Sequence, residues 1–401
     1  MSGLVTGSLP MNTAPAFRKG LRMHPSAPSS APPGSSGAHA DESARGAPGA
    51  PGSGSSSPRR GLTTACVALS VLLLVSVVVA IGLGSAVIRP GETVRYLWAA
   101  LSGGQIGASE VTTYQIVWEI RTPRVLLAAL VGAGLSTVGV AIQAMVRNAL
   151  ADPYVLGVSS GASVGAVGVT VTGGLAGLGV HAMSAGAFLG ALTASALVYG
   201  AAASRGGLSP LRLVLTGVAM ALGFQAVMSV IIYLIPNSEA TSTVLYWTMG
   251  SFGSATWAAL PAVAAAVLLG LVVLRRFSRA LDVMALGDET AASLGVDPDR
   301  HRKGLLVLIS LVTGAMVAVS GAIGFVGLVM PHLVRMVVGA THARVLAVAP
   351  LVGAVFMVWV DLVARTLVAP RELPLGVITA LVGVPVFVSL MRRRAYIFGG
   401  R

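Results

Sequence analysis

The sequence predicts an all-α integral membrane protein with about ten transmembrane helices, and three observations support this fold class. Hydrophobic residues make up 55% of the 401 positions and charged residues only 10%, whereas soluble domains carry about a quarter charged residues. From residue 62 to residue 391 the chain is a nearly unbroken series of apolar stretches, each close to the roughly 20 residues that cross a bilayer. Only helices and closed β-barrels pair all backbone polar groups in lipid. The stretches lack the period-2 alternation of barrel strands, so we expect helices.

Residues 1–60 form a separate segment by composition. Between Pro25 and Pro58 nearly every residue is Pro, Ser, Gly or Ala, and such a segment cannot build a core. The first long apolar run begins only after Arg60, so a secretory signal is a poor interpretation. We expect a disordered cytoplasmic tail over 1–60, a ten-helix membrane domain over 61–394 and a short cytoplasmic C-terminal tail over 395–401.

The apolar stretches predict ten helices in order along the chain. The eighth is too short to span a bilayer easily, and a further short helix is expected over residues 241–249. The ten predicted helices cover residues 62–85, 124–145, 154–172, 182–203, 211–235, 256–276, 303–323, 326–339, 344–368 and 374–391.

Glycines recur every four residues in the third and fourth predicted helices. They are Gly157, Gly161 and Gly165 in the third helix, and Gly186 and Gly190 in the fourth. This spacing aligns small residues on one face, where neighbouring helices can approach closely. We interpret the pattern as helix packing rather than as part of a substrate path.

Arginines at the helix ends predict the orientation of the chain, because cytoplasmic loops carry an excess of basic residues. The predicted inner loops and C-terminus hold Arg147, Arg205, Arg275, Arg276, Arg279, Arg300, Arg302, Lys303, Arg344 and Arg392 to Arg394. The outer side keeps Arg89, Arg95, Arg121, Arg365 and Arg371. The balance favours a multi-pass protein of the cell membrane (plasma or inner) with both termini in the cytoplasm. The net charge of +13 thus indicates membrane topology rather than nucleic-acid binding.

Ionisable residues are almost absent from the predicted spans. Asp361 is the clear exception, and Arg365 lies one turn later on the same face, where the two can pair as a structural lock. No chain of carboxylates or histidines crosses the predicted bilayer, which argues against a proton-coupled carrier and against a path for bare metal ions. Cys66 is the single cysteine, so an internal disulfide and a Cys-based metal cluster are excluded.

No constellation of catalytic or metal-ligating residues stands out in the sequence. The two lysines, Lys19 and Lys303, each follow an arginine, so neither completes the Gly-x-x-x-x-Gly-Lys phosphate loop. We therefore expect no cofactor on this chain, and if ATP drives transport, ATP and Mg must bind a partner subunit.

The longest polar stretch after the tail lies between Arg275 and Lys303. Its apolar residues predict one or two short surface helices. Composition leaves two interpretations open: a helix that lies on the membrane, or a docking helix for a cytoplasmic partner.

Three blocks of sequence follow one another in a recognisable order. They are Arg121-Thr122-Pro123-Arg124 continuing to Arg147-Asn148-Ala149-Leu150-Ala151-Asp152-Pro153, then Leu286-Gly287 to Leu294-Gly295, then Gly324-Phe325-Val326-Gly327 to Pro331-His332 and Glu372-Leu373-Pro374. With these blocks the chain, from about residue 62 to 394, resembles the FecCD family of importer permeases, which includes cobalamin, haem and ferric-siderophore permeases. Ala149 departs from the family pattern, which usually has proline there.

The resemblance implies a cobalamin-importer-permease-like fold of ten helices in the lipid bilayer. It implies a second permease subunit, identical or a close paralogue, and the fifth helix would line the path between the two. Two cytoplasmic ATPase subunits would use ATP and Mg, and an extracellular or periplasmic protein would deliver the substrate. No nucleic acid is implied as a partner.

The resemblance also implies roles for individual residues. Arg121, Arg124 and Arg365 would dock the substrate-binding protein, although interfacial snorkelling is the alternative for the first two. The cytoplasmic gate would be formed by Asn148, Leu150 and Ser209. Coupling to the ATPase would involve Leu286, Gly287, Ala291, Ala292, Leu294 and Gly295, and residues 241–249 would form a gate helix near the outer mouth.

The function implied is that of the permease subunit of an ATP-driven importer that works by alternating access. The expected cargo is an iron complex, with a ferric siderophore first and haem or cobalamin as alternatives. A secondary transporter driven by an ion gradient is another class, but it favours several intramembrane acidic residues and the sequence has one. A membrane enzyme would need a reactive cluster at a membrane face, and the sequence offers none.

Overall fold

The computed structural model describes residues 58–84, 86–204, 207–234 and 238–392. Residues 1–57 of the tail predicted over 1–60, and the C-terminal tail predicted over 395–401, lie outside these residues. Residues 58–60 belong to the first helix instead of the tail. Within the described ranges every regular element is helical and no strand occurs. The all-α fold class predicted from the sequence is therefore confirmed.

The part of the chain that the structure describes contains fifteen α-helices. They are α1 (Pro58–Gly82), α2 (Pro90–Ser102), α3 (Val111–Gln115), α4 (Thr122–Met145), α5 (Val158–Thr172), α6 (Ala182–Ala202), α7 (Pro210–Leu234), α8 (Ser238–Thr248), α9 (Leu260–Arg276), α10 (Ser278–Ala285), α11 (Asp288–Ser293), α12 (Pro298–Ser320), α13 (Val326–Val338), α14 (His342–Thr366) and α15 (Leu375–Arg392). A π-helical turn, Ile116–Arg121, joins α3 to α4, and a 3-10 turn, Pro153–Leu156, precedes α5.

Eight helical segments of the described residues are long and apolar enough to cross a membrane, and α5 and α13 are shorter apolar helices. Together they agree with the prediction of about ten membrane segments. The amphipathic helix α2 is absent from the predicted set. α12 begins at Pro298 rather than at residue 303, because the Asp297 carboxylate accepts hydrogen bonds from the N–H groups of Asp299 and Arg300 at 3.0 and 3.1 Å. This cap extends the helix through a polar first turn that hydropathy does not detect.

α4 lies at the centre of the bundle and is buried on nearly every face. It packs against α14, α13, α9 and α12. A Cβ atom added at Gly132 would overlap the carbonyl group of Gly353 on α14, and one added at Gly139 would overlap that of Gly327 on α13. Small residues therefore let these helices pack backbone to backbone, which is the usual source of close contact between membrane helices.

Four of the five glycines predicted to pack helices join α5 to α6, whereas Gly157 precedes α5 and lies next to α7. A Cβ atom at Gly165 would overlap the Gly186 carbonyl oxygen, and one at Gly190 would overlap that of Gly161. α5 is short, so this close contact with α6 supplies much of what holds it in the bundle.

α1 and α14 run in the same direction. Near the end of α14, Arg365 donates a hydrogen bond to the carbonyl oxygen of Leu83, just after α1, at 2.7 Å. Near the start of both helices, Cys66 Sγ lies 3.8 Å from the carbonyl oxygen of Ala347. We name the end of the bundle where both helices finish the Asp361 end.

The opposite end of the bundle carries α10 and α11 and is named the α10 end. The N–H group of His342, at the start of α14, donates to Asp282 on α10 at 2.8 Å. Leu390, near the end of α15, lines the same small pocket as Leu150 in the loop after α4. The start of α1 and the end of α15 thus lie at one end, as an even number of crossings requires.

Candidate functional site

An ionic cluster joins three segments at the Asp361 end. Arg124, in the first turn of α4, donates from Nε to Asp361 Oδ1 on α14 at 2.8 Å. Its two Nη atoms bond the Glu372 carboxylate, in the segment before α15, at 2.8 and 3.0 Å. Asp361 is fully buried, and a buried carboxylate is tolerated only when its charge is paired. The cluster therefore fixes the start of α4, the end of α14 and the segment before α15 to one another.

Two further arginines cap the C-terminal end of α1, whose last carbonyl groups have no partner within the helix. Arg121 donates to three carbonyl oxygens between residues 81 and 86, at 2.7 to 3.0 Å. Arg365 donates to those of Ala80 and Leu83. Cations at a helix C-terminus also interact favourably with the helix dipole. The end of α1 is thus held by side chains of two other helices.

The three arginines predicted to dock a binding protein are occupied by the chain itself. Arg121, Arg124 and Arg365 are only 5%, 8% and 9% exposed. The ion pair predicted between Asp361 and Arg365 is present, with Oδ2 and Nε 3.2 Å apart. Direct docking on these guanidinium groups would require their present contacts to change, and the docking role stays a prediction.

The short helix predicted over 241–249 is present as α8, and backbone hydrogen bonds hold its C-terminal end. The carbonyl oxygen of Gly250 accepts from the N–H group of Leu375 at 3.0 Å, and the N–H group of Ser251 donates to Ser320 at 2.9 Å. α8 is thereby attached to the end of α12 and the start of α15, next to the ionic cluster. A shift of α8 must therefore displace these two helix ends.

The surface helices predicted between Arg275 and Lys303 are α10 and α11. Of the residues predicted to couple to an ATPase, Leu286 and Leu294 are 68% and 60% exposed. Ala292 and Gly295 are also exposed, and Gly287 is half-buried.

Ala291 differs from these residues in exposure. It is fully buried on the inward face of α11, and its coupling role stays a prediction. The apolar residues Leu281 and Met284 of α10 are also buried in the core. Two exposed leucines thus lie at the C-terminal ends of α10 and α11, while Leu281 and Met284 pack against the bundle.

The predicted cytoplasmic gate residues lie in two loops at the α10 end. Asn148 is exposed and its Oδ1 accepts a hydrogen bond from the N–H group of Leu150 at 2.9 Å, which closes a tight turn after α4. Ser209 is half-buried and immediately precedes α7. The gating role of these residues stays a prediction.

Arg302, near the start of α12, connects both loops to α11. It is 3% exposed and donates from Nη1 to the Leu208 carbonyl oxygen at 3.0 Å and from Nε to that of Met145 at 3.4 Å. Its Nη2 pairs with Asp288 Oδ1 on α11. One guanidinium group therefore contacts the residue before Ser209, the end of α4 and the first residue of α11.

Asp282 and His342 connect α10 to the start of α14. Asp282 Oδ1 accepts the N–H group of His342 at 2.8 Å and lies 2.6 Å from its ring Nδ1. Burial alone would raise the pKa of Asp282, but the hydrogen bonds from His342 outweigh it and hold the pKa below its ordinary value. Asp282 therefore stays ionised and fixes α10 to the bundle.

Asp152 lies between α4 and α5, outside the membrane-spanning helices. Its Oδ1 accepts from the N–H group of Tyr154 at 2.9 Å and caps the 3-10 turn before α5. Burial raises the pKa of Asp152 to about 6. The hydroxyl oxygen of Tyr154 accepts from the N–H group of Ile323 at 2.5 Å, so this turn is attached to the break between α12 and α13.

α7, the helix predicted to line the path, is the least buried of the long helices. Only Leu213 and Gly217 are buried along it. Gln225, near its middle, is exposed, and a polar side chain at that depth is costly when it faces lipid alone. Within the described residues no group of three or more His, Cys, Asp or Glu side chains could hold a metal ion.

The contacts of Arg302, Glu372 and Asp288 were not predicted from the sequence. Arg302 counted only as one of several basic residues of an inner loop. A signal for its burial was present, because Arg302, Leu305, Leu306 and Ile309 recur at helical spacing on one face. No comparable signal identifies Glu372 or Asp288, whose partners lie far away in sequence.

Comparison with known proteins places the chain among transport proteins. A family model described as the FecCD transport family matches residues 72–393. An uncharacterised ABC transporter permease protein of Bacillus subtilis is 40% identical over 327 residues, which are 80% of this chain and 91% of the relative. A cobalamin import system permease protein of Halobacterium salinarum is 42% identical over 291 residues, which are 72% and 76% of the two chains.

A solved structure matches the fold along most of the described chain. It is an inward-facing conformation of a metal-chelate type ABC transporter, with a TM-score of 0.70 and 33% sequence identity. The match covers 82% of this chain and 99% of the other. Sequence and architecture therefore agree on the same class of protein.

Proposed function

Since the chain belongs to the FecCD transport family and is the permease of an ABC importer, we propose that it takes up an iron complex by alternating access, with a ferric siderophore as first choice. Relatives named for Fe(3+)-citrate and iron(3+)-hydroxamate import in Bacillus subtilis are 36% and 33% identical to it. Haem and cobalamin are the alternatives, since a hemin permease of Yersinia pestis is 41% identical. A molybdate permease of Haemophilus influenzae, 34% identical, adds an oxyanion to the cargoes to be tested.

The exposed face of α7, which carries no charged side chain beyond Arg212 in its first turn, is the observation that favours a chelate over a bare ion. A bare cation in a membrane needs charged or closely packed oxygen ligands along its path. α7 presents the amide of Gln225 among apolar residues and carries no acidic side chain. A weakly polar face suits a bulky complex that keeps its own ligands and is passed on whole.

A second permease subunit is proposed to cover this face of α7. Leu215, Leu222 and Val230 are exposed along the helix together with Gln225. Two such helices, one from each subunit, would enclose a path and keep the amide away from lipid. The second subunit is an identical chain or a close paralogue.

The ATPase is proposed to dock on α10 and α11. Leu286 and Leu294 offer the exposed apolar contacts of this docking surface. Two ATPase subunits would bind ATP and Mg, while this chain binds neither. This assignment puts the α10 end, both chain termini and the gate residues Asn148, Leu150 and Ser209 in the cytoplasm.

The substrate-binding protein is proposed to dock at the Asp361 end, outside the membrane. Arg124 and Arg365 pair with two carboxylates, Asp361 and Glu372, and Arg121 adds a third cation at the same end, so these five residues keep a positive excess. Glu372 is the most exposed of the five. An acidic side chain of the binding protein would take the place of Glu372 on Arg124 rather than meet a free guanidinium group.

The cargo is tested by reconstituting the permease with its ATPase and binding protein in proteoliposomes. Vesicles are supplied separately with a radiolabelled ferric hydroxamate, ferric citrate, haem, cobalamin and molybdate. ATP-dependent accumulation of a ferric complex supports the proposal, and the same vesicles without ATP are the control. Accumulation of cobalamin, haem or molybdate alone would contradict the proposal and would identify that compound as the cargo.

A further inference from the structure

We infer that Arg302 transmits movement of α11 to the two cytoplasmic gate loops and is the positioning residue that couples ATP use to gating. The inference rests on the proposed function, which assigns the ATPase to α10 and α11 and the gate to the loops after α4 and before α7. It adds the physical connection between these two regions. The connection consists of one side chain and its three acceptors.

The guanidinium group of Arg302 is shared among segments that are distant in sequence. Nη1 and Nε bind backbone carbonyl oxygens of Leu208 and Met145, and Nη2 binds the Asp288 carboxylate on α11. The planar fork of an arginine holds several acceptors in one fixed arrangement. A displacement of Asp288 therefore changes the position of the same group that binds the loop before α7 and the last residue of α4, just before the loop that holds Asn148.

α12 holds the loop before α7 at a second point. Asp299, one turn before Arg302, accepts the N–H group of Leu208 at 2.7 Å through Oδ1, while Oδ2 pairs with Lys303 at 2.7 Å. Both the N–H and the carbonyl group of Leu208 are thus bound to the start of α12. Ser209, the next residue, has to follow any movement of that helix start.

Burial makes Arg302 a stiff connection. Its side chain is 3% exposed, whereas that of Asp288 is 39% exposed. The exposed partner lies where the ATPase is proposed to dock, and the buried partner cannot turn away to water without leaving a charge unpaired in the interior. A displacement of α11 therefore moves the Arg302 guanidinium group through its ion pair with Asp288, because the buried Arg302 side chain cannot rotate away.

The test compares Asp288→Ala with Glu289→Ala in the reconstituted transporter. Both substitutions remove one negative charge from the first turn of α11, but only Asp288 contacts Arg302. Arg302→Gln is compared in the same way with Arg300→Gln, whose side chain is exposed. Three quantities are measured for each: ATPase retained on purification, ATP hydrolysed and cargo taken up.

Asp288→Ala is expected to retain the ATPase and to hydrolyse ATP, with cargo taken up per ATP reduced about fivefold or more, the lower range of coupling between distant sites. Glu289→Ala and Arg300→Gln are expected to keep the parent ratio. Asp288→Ala combined with Arg302→Gln should lose little more than either alone, because both break one connection.

Three results would overturn the inference. One is an equal uptake-to-ATP ratio for Asp288→Ala and Glu289→Ala, and another is loss of the ATPase from the Asp288→Ala complex, which would make Asp288 a docking residue. Additive losses in the double variant are the third. If Arg302→Gln fails to fold, the comparison of Asp288→Ala with Glu289→Ala still tests the inference, because Asp288 is half-exposed. A parent transporter without ATP-driven uptake would instead reject the proposed function before any variant is compared.

Discussion

Arg124 Nε lies 2.8 Å from Asp361 Oδ1, and this buried ion pair joins the central helix α4 to α14. The same carboxylate lies within ion-pair distance of Arg365, and Arg124 also binds Glu372. Asp361 is thus the carboxylate shared by both buried arginines at this end of the bundle. Its charge balances two guanidinium groups that have little access to water.

Asp361→Asn is expected to destabilise the protein by about 3–5 kcal/mol, because it leaves Arg124 and Arg365 buried with less opposing charge. The measurement is the thermal midpoint of the purified permease in detergent. Glu110→Gln is the matched control, since it breaks an exposed ion pair with Arg95 that is screened by water and contributes little to stability. Equal midpoints for the two variants would contradict the structural role of Asp361.

Gly165→Ala is expected to destabilise the contact between α5 and α6 by about 1–3 kcal/mol, because the added methyl group overlaps the Gly186 carbonyl oxygen. Gly168 lies on the same helix with nothing within 4 Å of its Cβ position. Gly168→Ala should therefore be neutral or slightly stabilising. Thermal unfolding of both variants measures the difference, and a loss at Gly168 as large as at Gly165 would contradict the packing account.

Asp152 gives the stability of the protein a defined pH dependence. Burial raises its folded pKa from 3.8 to about 6, so between these values the folded chain binds more protons than the unfolded chain. Stability due to this group is full below pH 4 and falls as the pH rises to 6, with a loss on the order of 3 kcal/mol.

Asp152→Asn is therefore expected to raise the thermal midpoint at pH 7.5 and to have little effect at pH 4.5, because the amide stays neutral and can still cap Tyr154. Thermal midpoints at several pH values measure this. Identical pH profiles for the parent and the variant would show that Asp152 does not titrate in this range.

Glu372→Gln is expected to strengthen docking of the substrate-binding protein about two- to fivefold, as the removal of one competing ion pair allows. The variant leaves Arg124 available to an acidic side chain of the partner. Affinity is measured between the cargo-loaded binding protein and the permease in nanodiscs, with Glu110→Gln as a control that removes the same charge elsewhere. Unchanged or weaker docking would reject Arg124 as the docking residue.

Leu286→Glu with Leu294→Glu is expected to reduce the ATPase that co-purifies with the permease at least about tenfold, since two exposed apolar contacts are replaced by charges. Leu286→Met with Leu294→Met keeps the apolar contacts and is the control. Leucines are preferred to Gly295 as targets, because Gly295 has a φ of +78° and any side chain there strains the backbone. Equal ATPase recovery for both pairs would place the docking surface elsewhere.

The fold was largely predictable because apolar run length sets membrane helices directly. The ends of the helices were harder to predict. α12, for example, begins at a cap that Asp297 makes within polar sequence. The pairing of Asp361 with Arg365 was predictable because both lie on one helix. The partners of Arg302 were not, because Asp288, Met145 and Leu208 reach it only through tertiary packing. Burial of Ala291 also depends on that packing, since nothing in its short helix marks the inward face.

The most direct test of the central claim, that this permease works with an ATPase, is uptake of a labelled ferric complex into proteoliposomes with and without an active ATPase. ATP is supplied on the ATPase side, the cargo-loaded binding protein on the other, and an uncoupler is added in parallel. We expect uptake that requires ATP hydrolysis and persists with the uncoupler. Uptake that continues without the ATPase and collapses with the uncoupler would contradict the account and indicate a carrier driven by an ion gradient.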